Sequence, residues 1–178
     1  MMKTTVVSAL LLLSPAALTA QTHPLPGDVA SPEAIIAAGY ESIQRAPGEN
    51  FDWDRFRSLY VPGALMIPNT EQTGGEFRVL TVDGFIDWID GWYADNAPIG
   101  SPDDHGLVEA EIHSVKSDYG DVVHVMSTYQ KRLADSEEVL DRGVNSFQLV
   151  FDGERWWIVS VAWDEESGAG QIPSKYLP

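Results

Sequence analysis

Glu111 and His113 stand two residues apart in a stretch that reads as a β-strand, and that spacing puts both on one face. A histidine beside a carboxylate is a general base whose pKa can be tuned. Arg142, expected on a neighbouring strand, could pair with Glu111 or grip an anionic ligand through two guanidinium nitrogens. Ser127, Tyr129 and Asn145 share their strand faces with apolar neighbours, which brings hydroxyl and amide groups beside an apolar pocket. Such groups orient a ligand or stabilise a developing oxyanion, with Tyr129 as the hydroxyl donor and His113 with Glu111 as the base. The plainer alternatives are a cross-strand ion pair on a solvated or dimer face for the charged trio. For Tyr129 and Asn145 the alternative is satisfaction of buried backbone groups.

A second set of residues would build the walls. Trp53, Trp88, Trp92 and Tyr93 lie on two helical stripes, where they supply an apolar wall or closure. On the last strand, alternation sets Trp156, Ile158, Ser160 and Ala162 on one face and Trp157, Val159, Val161 and Trp163 on the other. Ser160 and Ala162 are small and would leave space for a ligand, with Ser160 as a polar contact. Asp103-Asp104-His105 falls in a long polar loop, as a lid over the pocket or a hard-cation site, and His105 is a second candidate base. Three adjacent loop residues seldom converge on one ion, so no metal is expected. There is no glycine-rich phosphate loop, no HExxH and no GxSxG, and no cofactor is expected.

The elements that must position these side chains follow from spacing. Ser31 caps a helix with Pro32 at its first position, and Pro47-Gly48 ends it. Trp53, Phe56 and Tyr60 mark a shorter helix from about 52 to 60. Short strands are expected at 64–67 and 77–80. Thr81 then caps the clearest helix, with Val82, Phe85, Ile86, Ile89, Trp92 and Tyr93 on its apolar stripe. After the loop 94–106 come four strands, at about 107–116, 121–132, 139–151 and 155–163, with Gly120 and Asp152-Gly153 in turns. Helices followed by a run of long hairpin strands predict an α+β fold with a mainly antiparallel sheet.

Composition bounds the partners. Residues 1–20 carry Lys3, an apolar run at Val6–Leu13 and a small residue at Ala20, the pattern of a cleaved signal peptide. The expectation is a periplasmic or secreted protein with a flexible leader at 21–30 and a single domain at 31–178. It would not be membrane-bound after cleavage. The net charge is −16, and loss of Lys3 would make it −17. So acidic a surface repels phosphate backbones, and nucleic acid is not an expected partner. With no cysteine, thiol catalysis and disulfides are excluded.

Four segments carry a resemblance: WDRFRSLYVPGA at 53–64, EIHSVKSDYGDVVHVMSTY at 111–129, RGVNSFQLVFDGERWWIVSVAWDEE at 142–166 and IPSKYLP at 172–178. Together with the element order, they resemble the NTF2-like superfamily, the nuclear transport factor 2 or SnoaL-like cone, over about residues 31–178. The similarity is to an exported bacterial group without an assigned activity. It implies about three N-terminal helices packed on a strongly curved sheet, with a pocket at the open end of the cone. It also implies that Trp156 and Ile158 face the helices. A homodimer through the outer sheet face is expected, with His124, Met126, Trp157 and Trp163 at that surface. The superfamily holds isomerases, dehydratases, hydrolases and proteins with no catalysis, so the fold does not choose the activity. The expectation is a small, mostly apolar ligand in the cone. Acid–base enzymology or non-catalytic assembly are the alternatives.

Overall fold

The computed structural model describes residues 24–136 and 138–178; the signal-peptide pattern at 1–20 lies outside them. Helix α1 (Pro32–Ser42) starts where Ser31 turns its hydroxyl back to accept from the Ala34 N–H at 3.1 Å. It stops before Pro47, because the chain from Arg45 leaves to bridge Leu107 in extended form. Helix α2 (Trp53–Ser58) is capped by Asp52, and strand β1 (Tyr60–Ile67) begins four residues earlier than its apolar run suggests. Strand β2 is only Leu80–Thr81. The expected strand at 77–80 fails for lack of packing: Phe77 is 73% exposed. Helix α3 (Val82–Asn96) is capped by the Thr81 hydroxyl, as its spacing predicts.

The rest is sheet: β3 (Val108–Tyr119), β4 (Val122–Arg132), β5 (Val139–Phe151) and β6 (Trp156–Glu165), followed by a four-residue helix α4 (Glu166–Ala169). The strand order is β2-β1-β6-β5-β4-β3. Only the β1–β6 pair is parallel. This is the α+β cone the resemblance implies. Its core lies between the inner sheet face and the helices, where Ile35, Leu59, Leu149 and Ile158 are fully buried. Among the described residues no helix is long and apolar enough to cross a membrane.

Of the four register shifts in this sheet, the two on β3 and β6 reverse the side-chain alternation beside candidate site residues. On β3, Glu111 pairs with Tyr129 but His113 pairs with Thr128, leaving Ile112 as the extra residue. Glu111 therefore stays on the inner face, while His113 turns outward. The expectation that both face one way is corrected. On β6, Ile158 pairs with Leu149 but Ser160 pairs with Gln148, leaving Val159 extra. Beyond that point Val161 and Trp163 face inward, and Ser160 and Ala162 face out. The space expected beside Ser160 is therefore not on the cavity side, and Trp163 does not belong to the outer face.

Candidate functional site

A cavity of about 550 Å³ opens between the three helices and the inner sheet face, within the ~300–1,000 Å³ of small-molecule sites. Its upper wall is aromatic. Helix α1 gives Tyr40, α2 gives Trp53 and Phe56, and α3 gives Phe85, Trp88, Trp92 and Tyr93. Phe56 stacks on Phe85 at 5.6 Å between centroids, and Trp163 of β6 meets Phe85 edge-on at 5.7 Å. Two of the indole N–H groups are anchored: Trp53 donates to Asp90 at 2.9 Å and Trp163 to Gln72 at 2.8 Å.

The floor is polar. In one row across the sheet, Glu111, Tyr129, Gly143 and Glu165 stand side by side. A side chain at Gly143 would meet the Tyr129 hydroxyl at 2.5 Å, so only glycine lets the ring lie across β5. Reaching over it, Tyr129 donates to Glu165 Oε1 at 2.9 Å, and Lys131 Nζ meets the same oxygen at 2.5 Å. Glu165 is buried, and these two partners offset its desolvation. A second chain runs from Asn145 Nδ2 to the Tyr40 hydroxyl (3.0 Å), on to Ser127 Oγ (2.8 Å) and out to Glu111 Oε2 (2.5 Å). Each donor there strengthens the next, holding Tyr40 and Asn145 at fixed positions on the cavity wall.

Glu109 completes the floor, opposite Lys131 on β4. Burial pushes its carboxyl up to about 7, with Glu165 pushing the same way and Lys131 and a bond from Asn145 opposing. Burial, then the nearby Glu109, also holds the Tyr40 and Tyr129 phenols far above their usual range, so both stay protonated donors. The floor thus pairs permanent donors with one carboxyl poised to gain or lose a proton near neutrality.

The loop after α3 forms the rim, and its Asp-Asp-His run separates into different tasks. Asp103 and His105 line the mouth. His105 Nδ1 meets Asp135 at 2.8 Å, a bond that raises its pKa. Asp104 turns inward instead to a buried ion pair with Arg45 at 2.7 Å. Arg45 itself lies over the rings of Phe51 and Tyr93, at 5.0 and 4.5 Å from their centroids.

Of the residues singled out from sequence, Trp53, Trp88, Trp92, Tyr93, His105, Tyr129 and Asn145 line this cavity. Ser127 and Glu111 sit behind it, linked to it through Tyr40. His113 and Ser160 lie on the other face of the sheet for the reason given above. Arg142 reaches neither Glu111 nor the cavity: it forms a two-pronged pair with Glu166, at 2.9 and 3.1 Å, and fastens β5 to α4. Tyr40, Glu109, Lys131, Trp163 and Glu165 were not singled out as lining residues. Lys131 carries one usable signal, since it lies two residues from Tyr129, which alternation already sets on the inner face.

No family model and no curated protein matches the chain. Solved structures do. A protein of unknown function with a cystatin-like fold from Nostoc punctiforme aligns at a TM-score of 0.55 and 10% identity, over 76% of this chain and 89% of that one. NTF2-like proteins of unknown function from Silicibacter pomeroyi and Methylobacillus flagellatus align at 17% and 11% identity, both at a TM-score of 0.47. Each of these covers 75% of this chain, and the matches take in 91% and 87% of theirs. At such identities the likeness is one of fold.

Proposed function

We propose that this chain, an NTF2-like cone, binds a small, mostly apolar organic molecule in the cavity between its helices and its sheet. One observation carries the reading: an aromatic chamber of about 550 Å³ ends on a floor whose hydrogen-bonding groups are already fixed by one another. Apolar burial against the rings would supply affinity. Asn145, Tyr129 and Glu109 would set the ligand's orientation. Titration with a panel of cyclic and aromatic metabolites is the test, because Trp53, Trp88, Trp92 and Trp163 all line the cavity. A saturable change in tryptophan emission that Trp88→Leu weakens at least several-fold is expected. No saturable response across the panel would remove the reading.

Glu109 favours a second reading, acid–base catalysis in the same chamber. A carboxyl near 7 inside an apolar cavity is suited to taking a proton from one substrate atom and returning it to another. Glu109 replaces His113 and Glu111 as the base in this reading, because it faces the cavity. Turnover of any substrate is expected to show an inflection near pH 7 that Glu109→Gln abolishes, with kcat falling about 100-fold or more. A substrate turned over at an undiminished rate by Glu109→Gln would end it.

A further inference from the structure

Among the described residues three carboxylates face the cavity, those of Asp103, Glu109 and Glu165, against one ammonium, that of Lys131. Lys131 is engaged by Glu165 at 2.5 Å, so its charge is matched before any ligand arrives. Glu109 makes no ion pair among the described residues, although it lines the cavity together with the aromatic walls. An ionised carboxylate there is poorly hydrated and has no cation of its own. The rings around it present electron-rich faces that attract positive charge. The chain already uses that property once: the Arg45 guanidinium rests on Phe51 and Tyr93, two rings that also line the cavity.

We propose that the molecule the cavity selects is a hydrophobic ammonium, its positive charge set against Glu109 and its apolar body against the aromatic wall. This rests on the pocket reading above and adds the sign of the ligand's charge. A carboxylate ligand would meet Glu109 and Glu165 with no free cation to offset them. A neutral ligand would leave Glu109 without a cation of its own. The −16 charge of the whole chain favours the same sign by drawing cations toward the mouth. The titratable and charged groups around Glu109 are Lys131 and Tyr129 of β4, Glu165 of β6, Tyr40 of α1, Tyr60 of β1 and Glu111 of its own strand. The tyrosines stay neutral and Lys131 stays matched, so Glu109 is the member whose charge changes near neutral pH.

A pair of isosteres tests this: benzyltrimethylammonium, which cannot lose its charge, and neopentylbenzene, its neutral carbon analogue. Both are titrated into the full chain at about 0.15 M salt, where surface charge is screened. The cation is expected to bind about tenfold more tightly or better at about pH 8.5, from its charge on the carboxylate and the rings. The preference should shrink at about pH 5.5, where Glu109 holds its proton. Glu109→Gln should abolish this pH dependence. If that variant does not fold, the pH series on the native chain decides. Equal affinities at about pH 8.5 would overturn the charge preference and leave the pocket reading standing. Saturable binding of neither compound would overturn both.

Discussion

Asp104→Ala is expected to cost the fold about 3 kcal/mol, at the lower end of what breaking a buried ion pair costs, because the pair lies close beneath the surface. The loss has two parts. Arg45 is left as a buried cation, and its Nε and Nη2 atoms already lack hydrogen-bond partners. The ring faces of Phe51 and Tyr93 compensate only part of that charge. In addition, Asp104 accepts from the backbone N–H groups of Gly48 and Gly100 at 2.8 Å each, and of Gly106 at 3.2 Å, so three donors lose an acceptor. Chemical denaturation reads the cost as a lower midpoint with an unchanged slope. A loss under ~1 kcal/mol would show that water replaces the carboxylate freely and that the pair is not sealed.

The same carboxylate gives stability a pH dependence whose sign is fixed. Burial alone would raise its pKa, but the three backbone donors and Arg45 together hold it well below the ordinary 3.8. Its folded value is therefore depressed relative to the unfolded chain. The stabilisation is fully present above about pH 4 and is lost as pH falls toward the folded value. Below about pH 4 the native chain should lose stability faster than Asp104→Ala, and the gap between the two should narrow as pH falls further. Because the loop that carries Asp104 also forms the cavity rim, ligand affinity should weaken in the variant as well.

What the sequence made legible was periodicity and punctuation. Ser31, Thr81 and Gly120 mark where elements begin and turn, and the stripe Phe85, Ile89, Trp92, Tyr93 marks a helix face, so the α+β class could be read directly, while the cone came from the family resemblance. The site was half legible. Trp53, Trp88 and Tyr129 follow the same periodic rules and line the cavity. The rest was hidden by the two bulges. Counting back from the turn at Gly120 sets Tyr129 opposite Ile112, whereas the bulge sets it opposite Glu111. Counting from Asp152-Gly153 sets Asn145 opposite Ala162, whereas the bulge sets it opposite Trp163. Neither bulge contains a glycine or proline to announce it: the extra residues are Ile112 and Val159, ordinary strand formers. A one-residue slip exchanges the two faces of a strand. That is why Ser160 was assigned to the cavity and Trp163 to the outer face, and why Glu111 and His113, on either side of a bulge, were expected to share one face. Glu109 was missed for a different reason. Nothing in an isolated glutamate tells whether its carboxyl meets water or an aromatic wall.

Gly143→Ala makes the sharpest test of how the cavity floor is built. The substitution adds one methyl group, and its carbon would stand 2.5 Å from the Tyr129 hydroxyl, 2.6 Å from Tyr129 Cζ and 2.6 Å from the Asp164 carbonyl oxygen. None of these can give way locally. Tyr129 is almost wholly buried, and the Asp164 carbonyl belongs to the paired strand β6. Overpacking of this kind costs ~1–3 kcal/mol or more. It should also lift Tyr129 off Glu165, leaving Lys131 as the remaining partner of a buried carboxylate among the described residues. Both stability and ligand affinity should therefore fall together. A double-mutant cycle separates the two causes. In a Tyr129→Leu background two of the three close contacts are gone, so Gly143→Ala should cost clearly less than it does alone. An equal cost in both backgrounds would place the strain at the Asp164 carbonyl. In that case the glycine would serve the strand pairing alone, and the position of Tyr129 over β5 would owe nothing to it.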